Sequence, residues 1–160
     1  MKKFIYLLVL SVFTLTFSAC SDDDEPKGNN QISITSNGVE IKNNDVVTYT
    51  AEADVFGEMV AGHNSEPSFK SKTPCKLEVS ITLPENDLEY LQWCGITKEC
   101  LNYKEKGTYT RVKDNVQEEA MEMHAHFKTQ TYTTCKVLVD VNINGKAERT
   151  FFIEYIYPAK

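Results

Sequence analysis

The sequence lacks a surplus of basic charge, a helix-long amphipathic repeat, and most of the side chains that catalysis and metal binding draw on. Lys and Arg number 17 against 23 Asp and Glu, a formal net charge of −6. Nucleic-acid binding needs cationic surfaces that displace phosphate counterions, so no nucleic-acid partner is expected. Histidine occurs only at His63, His124 and His126. No Gly-x-Ser-x-Gly elbow is present to carry a nucleophilic serine. Beyond Phe17 every apolar run is broken by charge within a few residues, well short of a helical membrane span. Only Glu85 to Trp93, with Asp87, Leu88 and Leu91 at helical spacing, has room for a turn or two of helix.

What is present begins with an export signal. Lys2 and Lys3 precede an apolar stretch from Phe4 to Phe17, and the small residues Ser18 and Ala19 close it before Cys20. As a helix this stretch reaches roughly 21 Å, short of the roughly 30 Å hydrocarbon core of a bilayer, so it is a cleavable signal rather than a permanent span. The run Phe17-Ser18-Ala19-Cys20 resembles the lipobox of bacterial lipoproteins. That resemblance implies a signal peptide over residues 1–19 and an acylated Cys20 as the first residue of the mature protein, anchored in the membrane by its lipid. Residues 20–30, with Ser21-Asp22-Asp23-Asp24-Glu25-Pro26 and then Lys27-Gly28-Asn29-Asn30, offer no apolar side chain to a core and are expected to form a solvated tether. The spaced acids, mid-loop glycine and terminal Glu of a calcium loop are missing from it. Its acidic stretch resembles the surface-export signal of Bacteroidetes-type lipoproteins, which implies an outer-membrane protein facing outward; a periplasm-facing one is the alternative. Loss of Lys2 and Lys3 with the signal takes the 17 basic side chains to 15 against 23 acidic ones, a balance of −8.

From Gln31 onward the pattern is alternation with period two, the signature of half-buried strands. Val47, Tyr49, Ala51, Ala53 and Val55 alternate with polar residues, as do Leu77, Val79, Ile81 and Leu83, and Met121, Met123, Ala125 and Phe127. Val137 to Ile143 and Phe151 to Tyr157 repeat the pattern around Asn144-Gly145, a pair suited to a two-residue hairpin turn. Shorter strands are expected at Ile32 to Thr35, Val39 to Lys42 and Tyr109 to Val112. Seven or eight strands over residues 31–160 predict a single all-β domain, a two-sheet antiparallel sandwich. In its exported, tethered setting it resembles the small immunoglobulin-like domains of surface lipoproteins. A small calycin-like β-barrel is the alternative.

Four cysteines besides Cys20 suit an oxidising compartment. Cys94 and Cys100 are close enough along the chain for a local bridge. Cys75 and Cys135 share the inward phase of Leu77 and Val137, so a second bridge between them is expected, worth roughly 4 kcal/mol in the chain-entropy account.

Functional chemistry is sparse. Glu122, His124 and His126 stand on one strand face, the one trio with metal-ligand character, yet without a fourth ligand or supporting shell; no metal and no cofactor is expected. Every cysteine is better explained by a disulfide or the anchor than as a nucleophile, and a compact sandwich offers little depth for a glycosidase cleft, so an enzyme is not expected. Tyr90, Trp93, Tyr103 and Tyr109 cluster near the Cys94–Cys100 loop, and exposed aromatic rings stack on sugar faces. The expectation is a non-catalytic surface binding or adhesion module with a glycan or surface protein as partner; the alternatives are an accessory glycan-binding lipoprotein of a nutrient-uptake system and a lipocalin-like carrier of small ligands.

Overall fold

The computed structural model describes residues 32–62, 67–128 and 131–159. The signal segment, Cys20, the tether and His63 lie outside the described residues. Twelve strands and, among the described residues, no helix make up the domain: β1 (Ile32–Ser36), β2 (Val39–Glu40), β3 (Val46–Thr50), β4 (Glu52–Ala53), β5 (Met59–Ala61), β6 (Ser68–Leu83), β7 (Leu88–Trp93), β8 (Leu101–Tyr103), β9 (Gly107–Ala120), β10 (Met123–Phe127), β11 (Thr133–Ile143) and β12 (Lys146–Tyr157). One sheet of seven strands runs β2-β1-β6-β11-β12-β3, with β9 on the other edge of β6; the second, of five strands, runs β4-β5-β10-β7-β8. Two sheets with separate edges make a sandwich rather than a closed calycin barrel. The strand count exceeds seven or eight because β2, β4, β5 and β8 are segments of only two or three residues.

The strictly alternating segments form the core. Leu77, Val79, Ile81 and Leu83 of β6, Val137, Val139, Val141 and Ile143 of β11, and Phe151, Ile153 and Tyr155 of β12 are buried, as are Leu91 and Trp93 of β7 and Met123 and Ala125 of β10. Each large aliphatic or aromatic side chain contributes about 1.5–3 kcal/mol of transfer free energy. Asn144 and Gly145 adopt φ of 51° and 79°, so the expected tight turn joins β11 to β12. The turn is also docked on β6: Asn144 N donates to Lys76 O and Lys76 N to Asn144 Oδ1, both at 2.9 Å.

Three expectations are corrected. Glu85 to Trp93 is not helical, because Leu88 to Trp93 is strand β7. Its pairing with β10 slips between Tyr90 and Leu88, where Tyr90 faces His126 and Leu88 faces Phe127. The extra residue, Glu89, is a bulge that turns both Leu88 and Leu91 inward, so a spacing of three, helical by eye, is a strand with one residue inserted.

The inward phase of Val47, Tyr49 and Ala51 also stops earlier than expected. At Ala51 the chain leaves the larger sheet for the smaller, and Ala53 is exposed. Val55 stands with Phe56 in the β4–β5 turn, 86% and 87% exposed. Asp54 pins that turn, its Oδ1 accepting from Phe56 N at 2.9 Å and Glu58 N at 2.8 Å.

Finally, Cys94 and Cys100 are bridged, but Cys75 and Cys135 are free buried thiols. Both point inward, as their phase predicts. The antiparallel register of β6 and β11, with Leu77 facing Ile143 and Thr82 facing Leu138, puts the two cysteines at opposite ends of the pair. The eight residue steps from Cys135 to Ile143 alone span roughly 27 Å, against the Cα separation of under about 7 Å that a disulfide requires. Cys75 Sγ donates instead to Val116 O at 3.4 Å, and burial pushes the Cys135 thiol up to about 12.

Candidate functional site

The aromatic cluster divides according to the side of β7 on which each ring falls. Trp93 points inward and is fully buried, so it meets no ligand while the fold holds. Tyr103 and Tyr109, half-buried, come from β8 and β9, one edge strand of each sheet, and their rings lie 4.3 Å apart. Between them and Trp93 sits Arg111, only 5% exposed, its guanidinium 4.6 Å from the Trp93 ring and 5.9 Å from that of Tyr103. Arg111 Nη1 donates at 3.0 Å to Gly95 O, Thr97 Oγ1 and Glu99 O, all in the loop closed by Cys94 and Cys100.

The same loop is held from its other side. Cys94 N donates to Glu122 O at 2.8 Å, and Ile96 is fully buried despite a left-handed φ of 74°. Gly95 packs so closely that a Cβ would lie 2.2 Å from Ala120 O. Trp93, Tyr103, Tyr109 and Arg111 thus seal one open edge of the sandwich: a cation closed in by π faces and carbonyl oxygens.

Tyr90 lies on the opposite face of β7. In register across the smaller sheet, its ring stacks on His126 of β10 at 4.2 Å, and Lys104 Nζ stands 6.0 Å from the ring centre. Tyr90 therefore already packs on an imidazole and lies near an ammonium. Burial, then the carboxylates of Glu58 and Glu89, push the Tyr90 hydroxyl pKa up. Burial is also the largest influence on His126 and lowers its pKa, against the opposing pull of Glu58.

The trio Glu122, His124 and His126 divides into two pairs. His124 Nε2 is 3.7 Å from Glu122 Oε1, and His126 Nδ1 is 3.9 Å from Glu58 Oε2. Among the described residues no group of three His, Cys, Asp or Glu is placed to hold a metal ion.

A concave feature that sequence reasoning missed lies where the chain crosses between sheets. Two arches, 84–87 between β6 and β7 and 104–106 between β8 and β9, meet Lys128 at the end of β10. They enclose an open cleft of about 360 Å³ lined by Glu85, Asn86, Glu89, Lys104, Glu105, Lys106 and Lys128. Hydrogen bonds fix the arch backbones. Asn86 Nδ2 donates to Pro84 O at 2.7 Å, Leu88 N to Asn86 Oδ1 at 2.9 Å, and Tyr109 Oη to Glu105 O at 2.7 Å. Lys128 N donates to Asp87 O at 3.2 Å, tying the end of β10 to the first arch. In sequence these segments carry only ordinary polar turn composition, so no local signal marks them.

No protein-family model matches the chain, and no curated protein matches it. Among solved structures, the N-terminal domain of PorA is similar with a TM-score of 0.48 and 14% sequence identity, over 79% of this chain and 97% of that one.

Proposed function

We propose that this protein is an exported, lipid-anchored, non-catalytic binding module of the cell surface, that its ligand end is where the two arches meet Lys128, and that the ligand is a glycan. The observation that carries this reading is the cleft itself: about 360 Å³, within the range of small-ligand sites, lined throughout by hydrogen-bonding side chains on pinned backbone. Glu85, Glu89 and Glu105 are all exposed, which favours binding over hydrolysis, since a glycosidase relies on burial to keep its general acid protonated. A carrier of apolar ligands is disfavoured because Trp93, Phe69, Phe151 and Tyr155 fill the space between the sheets.

Strand order supports the immunoglobulin-like reading. With β4, β5, β6, β7, β10, β11 and β12 taken as A to G, the sheets contain A-B-E-D and C-F-G, the order of that fold, with β8 and β9 inserted between D and E. The inter-sheet disulfide of antibody domains has no counterpart, since Cys135 on the F-equivalent strand is a free thiol.

Affinity electrophoresis of the full chain through gels containing neutral and acidic polysaccharides tests the function. Retardation by at least one, lost when Glu89 and Lys104 are both changed to Ala, is expected; no retardation by any would overturn the glycan reading. Anchoring is read separately from Cys20→Ser, which should move the protein from membrane to soluble fractions. A second reading, adhesion to a protein, is favoured by Val55 and Phe56, presented side by side on a pinned turn. It predicts that Phe56→Ser abolishes adherence of cells displaying the protein and leaves polysaccharide retardation intact.

A further inference from the structure

We propose that the arch cleft takes a carboxylate-bearing saccharide, its carboxylate received by the ammoniums of Lys104 and Lys128 and its hydroxyls donating to Glu85, Glu89 and Glu105. This rests on the glycan reading and names the sugar chemistry within it.

The charge distribution carries the inference. Among the described residues neither Lys104 nor Lys128 has a carboxylate within 4.0 Å. Lys106 reaches only Glu85, at 3.9 Å, with both side chains largely in water, an arrangement of little energetic consequence. Cationic groups without a carboxylate partner therefore border a cleft in a chain whose formal charge is −6. A ligand carboxylate placed there gains charge-assisted hydrogen bonds and displaces no existing ion pair of Lys104 or Lys128.

The glutamates set the second requirement. Ionised carboxylates only accept hydrogen bonds, so Glu85, Glu89 and Glu105 select donors, and a ligand made of carboxylates alone would meet three like charges. Sugar hydroxyls satisfy them. No aromatic ring lines the cleft, so polar contacts supply the affinity. The hydrogen bonds within the arches, from Asn86 to Pro84 and from Lys128 to Asp87, hold the backbone ready and lower the ordering cost of binding.

Calorimetric titration of the full chain with three ligands tests this: an oligosaccharide of hexuronic acids, the same oligosaccharide with its carboxyl groups reduced to hydroxymethyl, and oligoglutamate. The hexuronate should bind with an affinity that falls as salt is raised. The reduced sugar should bind at least about tenfold more weakly, and Lys104→Gln and Lys128→Gln should each weaken the hexuronate about tenfold. Both lysines are exposed, so an unchanged melting temperature in the variants would confirm that the loss is local. Equal binding of the reduced sugar, or indifference to both lysine variants, would overturn the carboxylate inference and leave the glycan reading intact. Oligoglutamate binding as well as the hexuronate would make the cleft a general anion site and overturn it too. Binding by neither saccharide would remove both readings together.

Discussion

Arg111 is the residue on which the closed edge of the sandwich most depends. A guanidinium this deeply buried needs partners for its charge, and here they are two aromatic faces and the oxygens of Gly95, Thr97 and Glu99 rather than a carboxylate. Removing it leaves three acceptors of the Cys94–Cys100 loop short of a donor and empties the space over Trp93. Arg111→Ala is therefore expected to cost about 3 kcal/mol in urea unfolding, and Arg111→Lys about 2 kcal/mol, because an ammonium can donate but cannot stack flat on the indole. A loss within experimental error for Arg111→Ala would show that the loop stands without it. Nothing in the sequence marks this residue: the run Thr108-Tyr109-Thr110-Arg111-Val112 alternates as a strand should, and an inward Arg violates the usual apolar-in rule. Its burial becomes intelligible only once Trp93 and Tyr103, on two other strands, are seen to enclose it. Tyr90 and Trp93 are likewise separated, since three positions along a strand put the two rings on opposite faces.

Among the elements, the β11–β12 hairpin shows what local chemistry alone can specify. Gly145 has open space where a Cβ would stand, so Gly145→Ala meets no atom and pays only for φ near 79°; a destabilisation of about 1 kcal/mol is expected. Asn144→Ala should cost more, because Asn144 Oδ1 also receives Lys76 N and its loss leaves a backbone donor of β6 without that partner. Denaturant midpoints for the two variants check the ranking, and the reverse order would mean that the turn's contact with β6 is energetically idle. Strands β6, β11 and β12 were legible because they alternate strictly over long spans around this turn. Strand β9 was legible only in part: it is an edge strand whose second half, Lys113-Asp114-Asn115, includes a left-handed Asn115 and shifts in register, with just Arg111 and Val116 buried. The arch cleft was not legible at all. Its residues come from two crossings and the end of β10, separated by up to some forty positions, and the two-sheet topology, not any motif, brings them together.

For the molecule as a whole, His126 on the smaller sheet and Cys135 in the core both resist ionisation, and this sets a pH range of maximal stability. His126 has its pKa lowered by burial, so below its ordinary value of 6.5 the unfolded chain takes up a proton that the folded chain resists, and stability falls as pH drops from there toward the lowered folded value. Cys135 shifts oppositely for an acid: burial carries its thiol from 9.0 up to about 12. Between those values the unfolded chain releases the proton while the folded chain keeps it, so stability is fully present below pH 9.0 and is lost progressively as pH rises toward about 12. The alkaline effect would not exist had Cys75 and Cys135 been bridged as their phase alone suggests, because a disulfide has no proton to lose. Melting temperatures of the wild type measured at neutrality, just below 6.5 and above 9.0 should therefore trace a plateau with two falling limbs. His126→Gln should flatten the acid limb near 6.5 and leave the alkaline one, whereas Cys135→Ala should start from a lower plateau, having lost core packing, and flatten only the alkaline limb. An alkaline limb equally steep in Cys135→Ala would assign it to other groups, and protection of both thiols from alkylation in the native state, lost on unfolding, would independently fix Cys75 and Cys135 as separate buried thiols.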